Sequence, residues 1–382
     1  MTAVTHAPRN HWDVIVFGAG PAGSALARRL AGQHRVLLID REAARETARG
    51  RARPVEWRIG ESLPGAAAVL LRRQGLFEQF LADGHAERCA SVSVWDDDAP
   101  VWFDAMRDPN GPGWHLDRVR FDAMLRKGAL DAGVKFATGI GSGAGRISLQ
   151  RTGNTWQIAH GDARQAYTAE VIVDATGRSA ALCRSLGMRR KSADRLVCLH
   201  ALFPALPGDV DRSTRTCADK DGWWYSVRVP SGRRVLAYHL DADDPALRER
   251  RDIGVMIEQA RQQPLLSPVL PKDVPHVKTH VRPSGSASLD LADCANRPGV
   301  YAVGDAMLAF DPLSSQGLFH ALASAESAAA AIARQLAGDS DASRCYFDEM
   351  WQVQARYDTH LATTYAGPHR YAERQFWVRR SS

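Results

Sequence analysis

No stretch of this sequence approaches the roughly 18 consecutive apolar residues that a membrane-spanning helix needs. The alanine-rich run near Ala328 is broken by Glu326 and Arg334. Cysteine is sparse and scattered: Cys89, Cys183, Cys198, Cys217, Cys294 and Cys345 form no Cys-x-x-Cys pair. That spacing argues against a zinc ribbon, a redox dithiol or a disulfide scaffold, and leaves reduced structural thiols with no metal site expected. Lysine is confined to Lys127, Lys135, Lys191, Lys220, Lys272 and Lys278, so the net charge of +6 rests on arginine. No basic helix alternates with base-stacking aromatics, which removes nucleic acid from the expected partners. Met1 to Asn10 hold no apolar signal core, and the expectation is a cytoplasmic protein without membrane attachment.

At 382 residues the chain is long for one core, and two closely packed domains are expected. The clearest signal lies near the start. An apolar run, Val14 to Phe17, leads into Gly18-Ala19-Gly20-Pro21-Ala22-Gly23 and then a helix-favouring segment, Ser24 to Leu30. Strand, glycine turn and helix in that order make a dinucleotide fingerprint: Gly18 permits the turn, Gly20 lets backbone approach a pyrophosphate, and Gly23 lets the helix pack on the strand. A second apolar run, Val36 to Ile39, ends at Asp40, where a carboxylate accepts from a ribose hydroxyl. The arginine cluster from Arg41 to Arg58, with Arg45, Arg49, Arg51 and Arg53, is expected to form a loop near the phosphates. A second glycine run, Gly139 to Gly145, is followed by strand-like residues instead of a helix; it reads as a turn, and no separate nicotinamide domain is visible.

Strand and helix signals interleave further along. Arg146 to Leu149 and Trp156 to His160 read as a hairpin around Gly153-Asn154, and Val171 to Gly177 as a buried strand returning to the first sheet. Strand patterns fill residues 192–296, Val300 to Val303 is a last buried strand, and Gly317 to Leu336 a long helix. The expected fold is α/β: a Rossmann-like nucleotide-binding domain of the glutathione-reductase type, interrupted by a mainly antiparallel β-sheet substrate domain. Residues 11–90, 119–191 and 297–340 would form the first, 91–118 and 192–296 the second, and 341–382 a C-terminal helical segment.

Further motifs carry a family resemblance. Gly60-Glu61-Ser62-Leu63-Pro64, Asp174-Ala175-Thr176-Gly177, Gly304-Asp305-Ala306 and Asp311-Pro312-Leu313-Ser314-Ser315-Gln316-Gly317 follow the fingerprint in order. Together they resemble the FAD-dependent monooxygenases of the aromatic-hydroxylase type and their tryptophan-halogenase-like relatives. With Gly113-Trp114-His115-Leu116-Asp117-Arg118 and Gly222-Trp223-Trp224-Tyr225, the resemblance is nearest to flavoproteins that mature tryptophylquinone cofactors. It implies FAD bound by Gly18, Gly20, Ala22, Gly23, Asp40, Arg53, Arg118, Gly177, Asp305, Pro312, Ser315, Gln316 and Gly317. In that arrangement Asp305 holds the ribityl chain, Arg118 and Arg53 neutralise the pyrophosphate, and the helix after Gln316 points its positive end at the ring.

The halogenase chemistry of these relatives uses a lysine and a glutamate that this sequence lacks at the matching places. No lysine precedes Lys127, Ser314 occupies the glutamate position, and the Trp-x-Trp-x-Ile-Pro signature is altered, with Trp223 and Trp224 adjacent before Val229-Pro230. The resemblance therefore implies hydroxylation of an electron-rich aromatic, an indole or tryptophan, free or within a peptide or protein, through a flavin C4a-hydroperoxide. Molecular oxygen is a co-substrate, and NAD(P)H or a separate flavin reductase supplies electrons. His115 and His320 are the acid-base candidates, and Trp224 and Tyr225 the candidate substrate contacts. The short segment after the long helix implies a site open enough for a peptide. Alternatives are a dehydrogenase or reductase of the prenyl-reductase type, a halogenase, and a non-catalytic maturation factor.

Overall fold

The structure, a computed structural model, describes residues 10–40, 59–138, 147–192 apart from 161–165, and 194–381. The arginine-rich stretch with Arg53 and the glycine run Gly139 to Gly145 lie outside the described residues.

The first sheet starts with β1 (His11–Phe17), followed by helix α1 (Pro21–Leu30) and β2 (Val36–Asp40). Val14, Ile15 and Val16 are fully buried, as in the parallel part of a sheet covered on both faces. Strands β3 (Ser62–Leu63), β4 (Ala90–Val94), β5 (Val101–Asp104) and β6 (Trp114–His115) then leave this sheet. Helix α2 (Arg118–Asp131) returns the chain to it, with Asp117 capping the amides of Val119 and Arg120. Strands β7 (Lys135–Thr138), β8 (Ile147–Thr152), β9 (Thr155–His160) and β10 (Ala166–Asp174) follow. The sheet order is β7-β2-β1-β10-β9-β8, and β8–β9 is the hairpin read from the sequence.

A second sheet is built from β11 (Leu196–Pro204), β12 (Ser213–Asp219), β13 (Gly222–Arg228), β14 (Arg233–Asp241) and, after helix α3 (Ile253–Arg261), β15 (His280–Pro283). Its order is β15-β11-β14-β13-β12-β4-β5, antiparallel except where β12 meets β4. Strand β16 (Val300–Ala302) then pairs in parallel with β10 and completes the first sheet. Helix α4 (Gly317–Leu336) packs beside α1, and α5 (Ala342–Ala366) and α6 (Gln375–Val378) close the chain.

Residues alternate between the two faces of the second sheet. One face, with Leu199, Phe203, Trp224, Leu236 and Tyr238, is sealed by Met256 and Ile257 of α3. The other carries Cys198, His200, Trp223, Tyr225 and His239; Trp223 packs on the C-terminal helices, and Tyr225 meets Ser62 at the start of β3. Among the described residues no helix is long and apolar enough to cross a membrane.

Candidate functional site

Two helix N-termini without side-chain caps meet beside the ends of β1 and β16. Helix α1 starts at Gly20 and Pro21 with no capping side chain, and α4 starts at Gln316 and Gly317 likewise. Their orphan N–H groups and positive dipole ends make anion sites. The glycines divide by role. A Cβ on Gly18, where φ is +107°, would lie 2.2 Å from the Ala175 carbonyl oxygen, and one on Gly23 would lie 1.9 Å from that of Gly18. A Cβ on Gly20, Gly177 or Gly317 would meet nothing within 4 Å. Gly18 and Gly23 therefore serve packing, whereas Gly20 and Gly317 front open space at the helix ends. Asp40 Oδ2 accepts from the Ala19 amide at 2.9 Å, fixing the turn, and Ala22 packs against Gly304.

Asp305 lies between these helix ends, in the one-turn segment Gly304–Ala306. Desolvation raises its pKa, opposed by the charges of Arg178, Arg190 and Arg118. Arg190 donates to the backbone carbonyls of Asp305 at 2.9 Å and Ala306 at 2.7 Å, and Arg178 donates to that of Gly285. Neither arginine was among the residues read from the sequence. Arg178 directly follows Gly177 in the strand-end motif, a signal that was available; Arg190 carried none.

Arg118, expected to neutralise a pyrophosphate, makes its contacts here within the chain. Its guanidinium grips Asp122 at 3.1 and 3.2 Å and donates to the carbonyls of Ile59 and Gly60 at 3.2 and 3.0 Å. The ion pair is an i,i+4 contact on α2, and the fork anchors the loop that carries Glu61. Pro312 opens the next turn, Pro312–Ser314, which ends at Ser315 with a left-handed φ of +52°. Strain of this kind persists only where the surroundings fix it. Here Asp311, buried at the start of the turn, accepts from Leu313 N and from the Tyr365 hydroxyl, both at 2.9 Å, while its amide donates to the Tyr357 hydroxyl at 2.7 Å.

Just before β3, Glu61 is 1 % exposed, and burial pushes its pKa up to about 7. Its Oε1 has no hydrogen-bond partner among the described residues, and the Tyr225 hydroxyl reaches Oε2 at 3.5 Å and Ser62 Oγ at 3.2 Å. Cys198 lies close enough for Glu61 to raise its pKa, and across β14 it pairs with His239, whose Nδ1 is also unpartnered among the described residues. A buried carboxylate oxygen without a partner, as at Glu61, marks room for a polar ligand group. Glu61 lies in the Gly60–Pro64 motif, but its burial, which gives it its chemistry, has no sequence signal.

The acid-base histidines fare differently. His115 is fully buried, bonds Thr214 Oγ1 through Nε2 at 2.9 Å, and is depressed to about 4 by burial; it ties β6 to β12 as a neutral ring. His320, in the first turn of α4, lies with its ring 4.6 Å from that of Phe310 at a tilt, and is likewise depressed to about 4. Trp224 does not share Tyr225's surroundings. It sits on the sheet face sealed by α3, its ring 4.3 Å from Tyr238 and its Nε1 donating to Asp219 at 3.2 Å, because neighbours on a strand point to opposite faces. One grouping of metal-ligating side chains occurs among the described residues, His11, Asp13 and Glu170. His11 and Asp13 are engaged there by Thr168 and the Arg35 amide.

A Rossmann-type sheet with an open glycine turn, two uncapped helix ends and a buried carboxylate between them defines an FAD-dependent oxidoreductase. The tryptophan halogenase family profile matches residues 104–381, and the chain belongs to that family. It is 27 % identical to the FAD-dependent oxidoreductase LodB of Marinomonas mediterranea over 97 % of this chain and 96 % of that protein. It is 24 % identical to a tryptophan 2-halogenase of Chondromyces crocatus, over 92 % of this chain and 70 % of that one. Among solved structures, the flavin-dependent halogenase CmlS superposes with a TM-score of 0.78 at 21 % identity, covering 98 % of this chain and 68 % of CmlS. QhpG, a peptidyl tryptophan dihydroxylase essential for tryptophylquinone cofactor biogenesis, gives 0.74 at 24 % identity, covering 97 % and 79 %. At these identities the two structures speak for the fold alone.

Proposed function

We propose that this protein hydroxylates an electron-rich aromatic ring, an indole or a tryptophan side chain, free or within a peptide. The observation that carries the proposal is the buried Glu61 with its orphaned oxygen, set beside Tyr225 and Ser62 with no lysine near it in the sequence. Bound FAD, once reduced by NAD(P)H or a partner reductase, supplies the activation of molecular oxygen. The residues that fit it are Gly20 and the α1 N-terminus for the pyrophosphate, Asp305 for the ribityl hydroxyls, and Gln316 and Gly317 at the α4 end for the ring.

The chain's own contribution is a dry, aligned pocket and a proton reservoir. With a pKa near 7, Glu61 both holds and yields a proton at working pH, and the Tyr225 hydroxyl orients it. An indole ring is nucleophilic without ionisation, so a strong base is not needed, in keeping with neutral His115 and His320. Ser314 in place of the halogenase glutamate favours direct oxygen transfer over halide oxidation.

The test is turnover of reduced, FAD-loaded protein with isotopically labelled oxygen, indoles and tryptophan peptides, with bromide present. A product that gains labelled oxygen and no halogen supports the proposal. A brominated product would establish halogenation, and oxygen-independent turnover with another acceptor would establish the dehydrogenase alternative.

A further inference from the structure

A groove of about 320 Å³ opens at the β15 edge of the second sheet, apart from the helix ends and the Asp311 turn. Leu202 and Val277 give it an apolar floor. Its remaining walls are basic: Arg233, Lys278 and Arg282, with His280 stacked 5.7 Å from His200, and no carboxylate lines it among the described residues. Arg233 is held over the groove by a 3.0 Å bond to the Leu202 carbonyl, while Lys278 is exposed just before β15.

From this arrangement we infer that the groove binds an anionic group, a carboxylate or phosphate, on the tail of the aromatic substrate. The inference rests on the proposed hydroxylation for the identity of the ring. Register supplies the connection. Tyr225 pairs with Ala237, and Ala237 pairs with His200, so Tyr225 and the groove's inner wall share one sheet face two strands apart. Two strand spacings are about 10 Å, a span that one substrate bridges, with its ring by Tyr225 and its anion by Arg233 and Lys278. Cys198 lies along that route, its Sγ 3.8 Å from His200 Nδ1. The floor accepts methylenes, and the cations accept the charge through charge-assisted hydrogen bonds.

The test is binding, read without turnover. Oxidised, FAD-loaded protein is titrated with indole-3-butyrate against its methyl ester, and with N-acetyl-Trp-Gly-Asp-amide against N-acetyl-Trp-Gly-Asn-amide. The expectation is that at least one acid binds about tenfold more tightly than its neutral partner. That preference shrinks with added salt and disappears in the Arg233→Gln/Lys278→Gln double variant, whose far-ultraviolet spectrum and flavin content stay unchanged. Preference for the butyrate alone assigns a small-molecule acid, and preference for the aspartyl peptide a carboxylate on a polypeptide. Equal binding of acid and neutral partner in both pairs, or a preference that survives the double variant, overturns the inference. Anion preference without any oxygenated product would remove the hydroxylase proposal and leave the groove standing.

Discussion

Tyr365 donates a 2.9 Å hydrogen bond to the buried carboxylate of Asp311, and its own oxygen accepts from Trp223 Nε1 at 3.2 Å. This links three parts of the chain: helix α5, the strained turn before α4, and strand β13 of the second sheet. Trp223 in turn stacks on His239 with ring centroids 3.7 Å apart and nearly parallel planes. Helix α5 therefore braces the turn from behind, and the turn that ends at the left-handed Ser315 is held by a network that reaches the second sheet.

Replacing Tyr365 with phenylalanine leaves Asp311 short of a donor in a site where burial has already raised its pKa to about 6. The loss is about 1–3 kcal/mol. It should be larger at about pH 8, where the carboxylate is charged, than at about pH 5, where it is mostly protonated. Urea unfolding at the two pH values measures both; an equal loss at each would show that the bond does not depend on the charge.

The glycine turn makes opposite predictions for neighbouring positions. Gly20→Ala adds a Cβ that meets no protein atom within 4 Å, so the melting temperature of the FAD-free protein should hold while flavin retention falls. Gly18→Ala forces a side chain to φ +107° and 2.2 Å from a carbonyl oxygen, and should unfold the first sheet or cost several kcal/mol. Thermal melts without cofactor, paired with bound-flavin absorbance after gel filtration, separate the two effects. A Gly20→Ala protein that keeps FAD normally would remove the pyrophosphate from that helix end.

Glu61 carries a pH signature. Its folded pKa, about 7, is above its ordinary 4.5, so the folded state binds more protons than the unfolded state in between. Its contribution is then fully present below about pH 4.5 and is lost as pH rises through about 7. His115, His200 and His320, depressed to about 4, and His239, depressed to about 3, act in the other direction, costing stability as pH falls below 6.5. Glu61→Gln removes only the first slope, so the variant should gain stability relative to the parent from pH 5 to about 8. Difference infrared spectroscopy should show a protonated carboxyl band in the parent that titrates near neutrality and is missing in Glu61→Gln. A parent band already lost by about pH 5 would refute the raised pKa.

Much of the fold was legible because its elements are locally determined. Gly317–Leu336 has the bounds read from the sequence, and β1, β9 and β10 fall within a few residues of their apolar patterns. The helix-end site was legible for the same reason, since glycine turns announce themselves locally. What escaped depends on pairing across the chain. The loop contacts of Arg118 with Ile59 and Gly60 span 58 and more residues, beyond what a local motif shows. Arg190 reaches Asp305 across 115 residues, and the tyrosines that bond Asp311 come from the expected C-terminal helical segment but 46 and 54 residues further along the chain.

Trp224 and Tyr225 supply the sharpest contrast, since one residue's step along β13 sends them to opposite faces. Trp224→Phe should cost about 1–3 kcal/mol, through the lost bond to Asp219 and the space left against Tyr238. It should leave KM and kcat for the aromatic substrate unchanged. Tyr225→Phe removes the hydroxyl that orients Glu61 and Ser62 while keeping the ring, so stability should move little and kcat/KM fall about tenfold or more. Unfolding curves and steady-state kinetics on both variants decide the matter. If Trp224→Phe slows turnover at unchanged stability while Tyr225→Phe does not, the substrate lies on the α3 side of the sheet, and the site built around Glu61 is the wrong one.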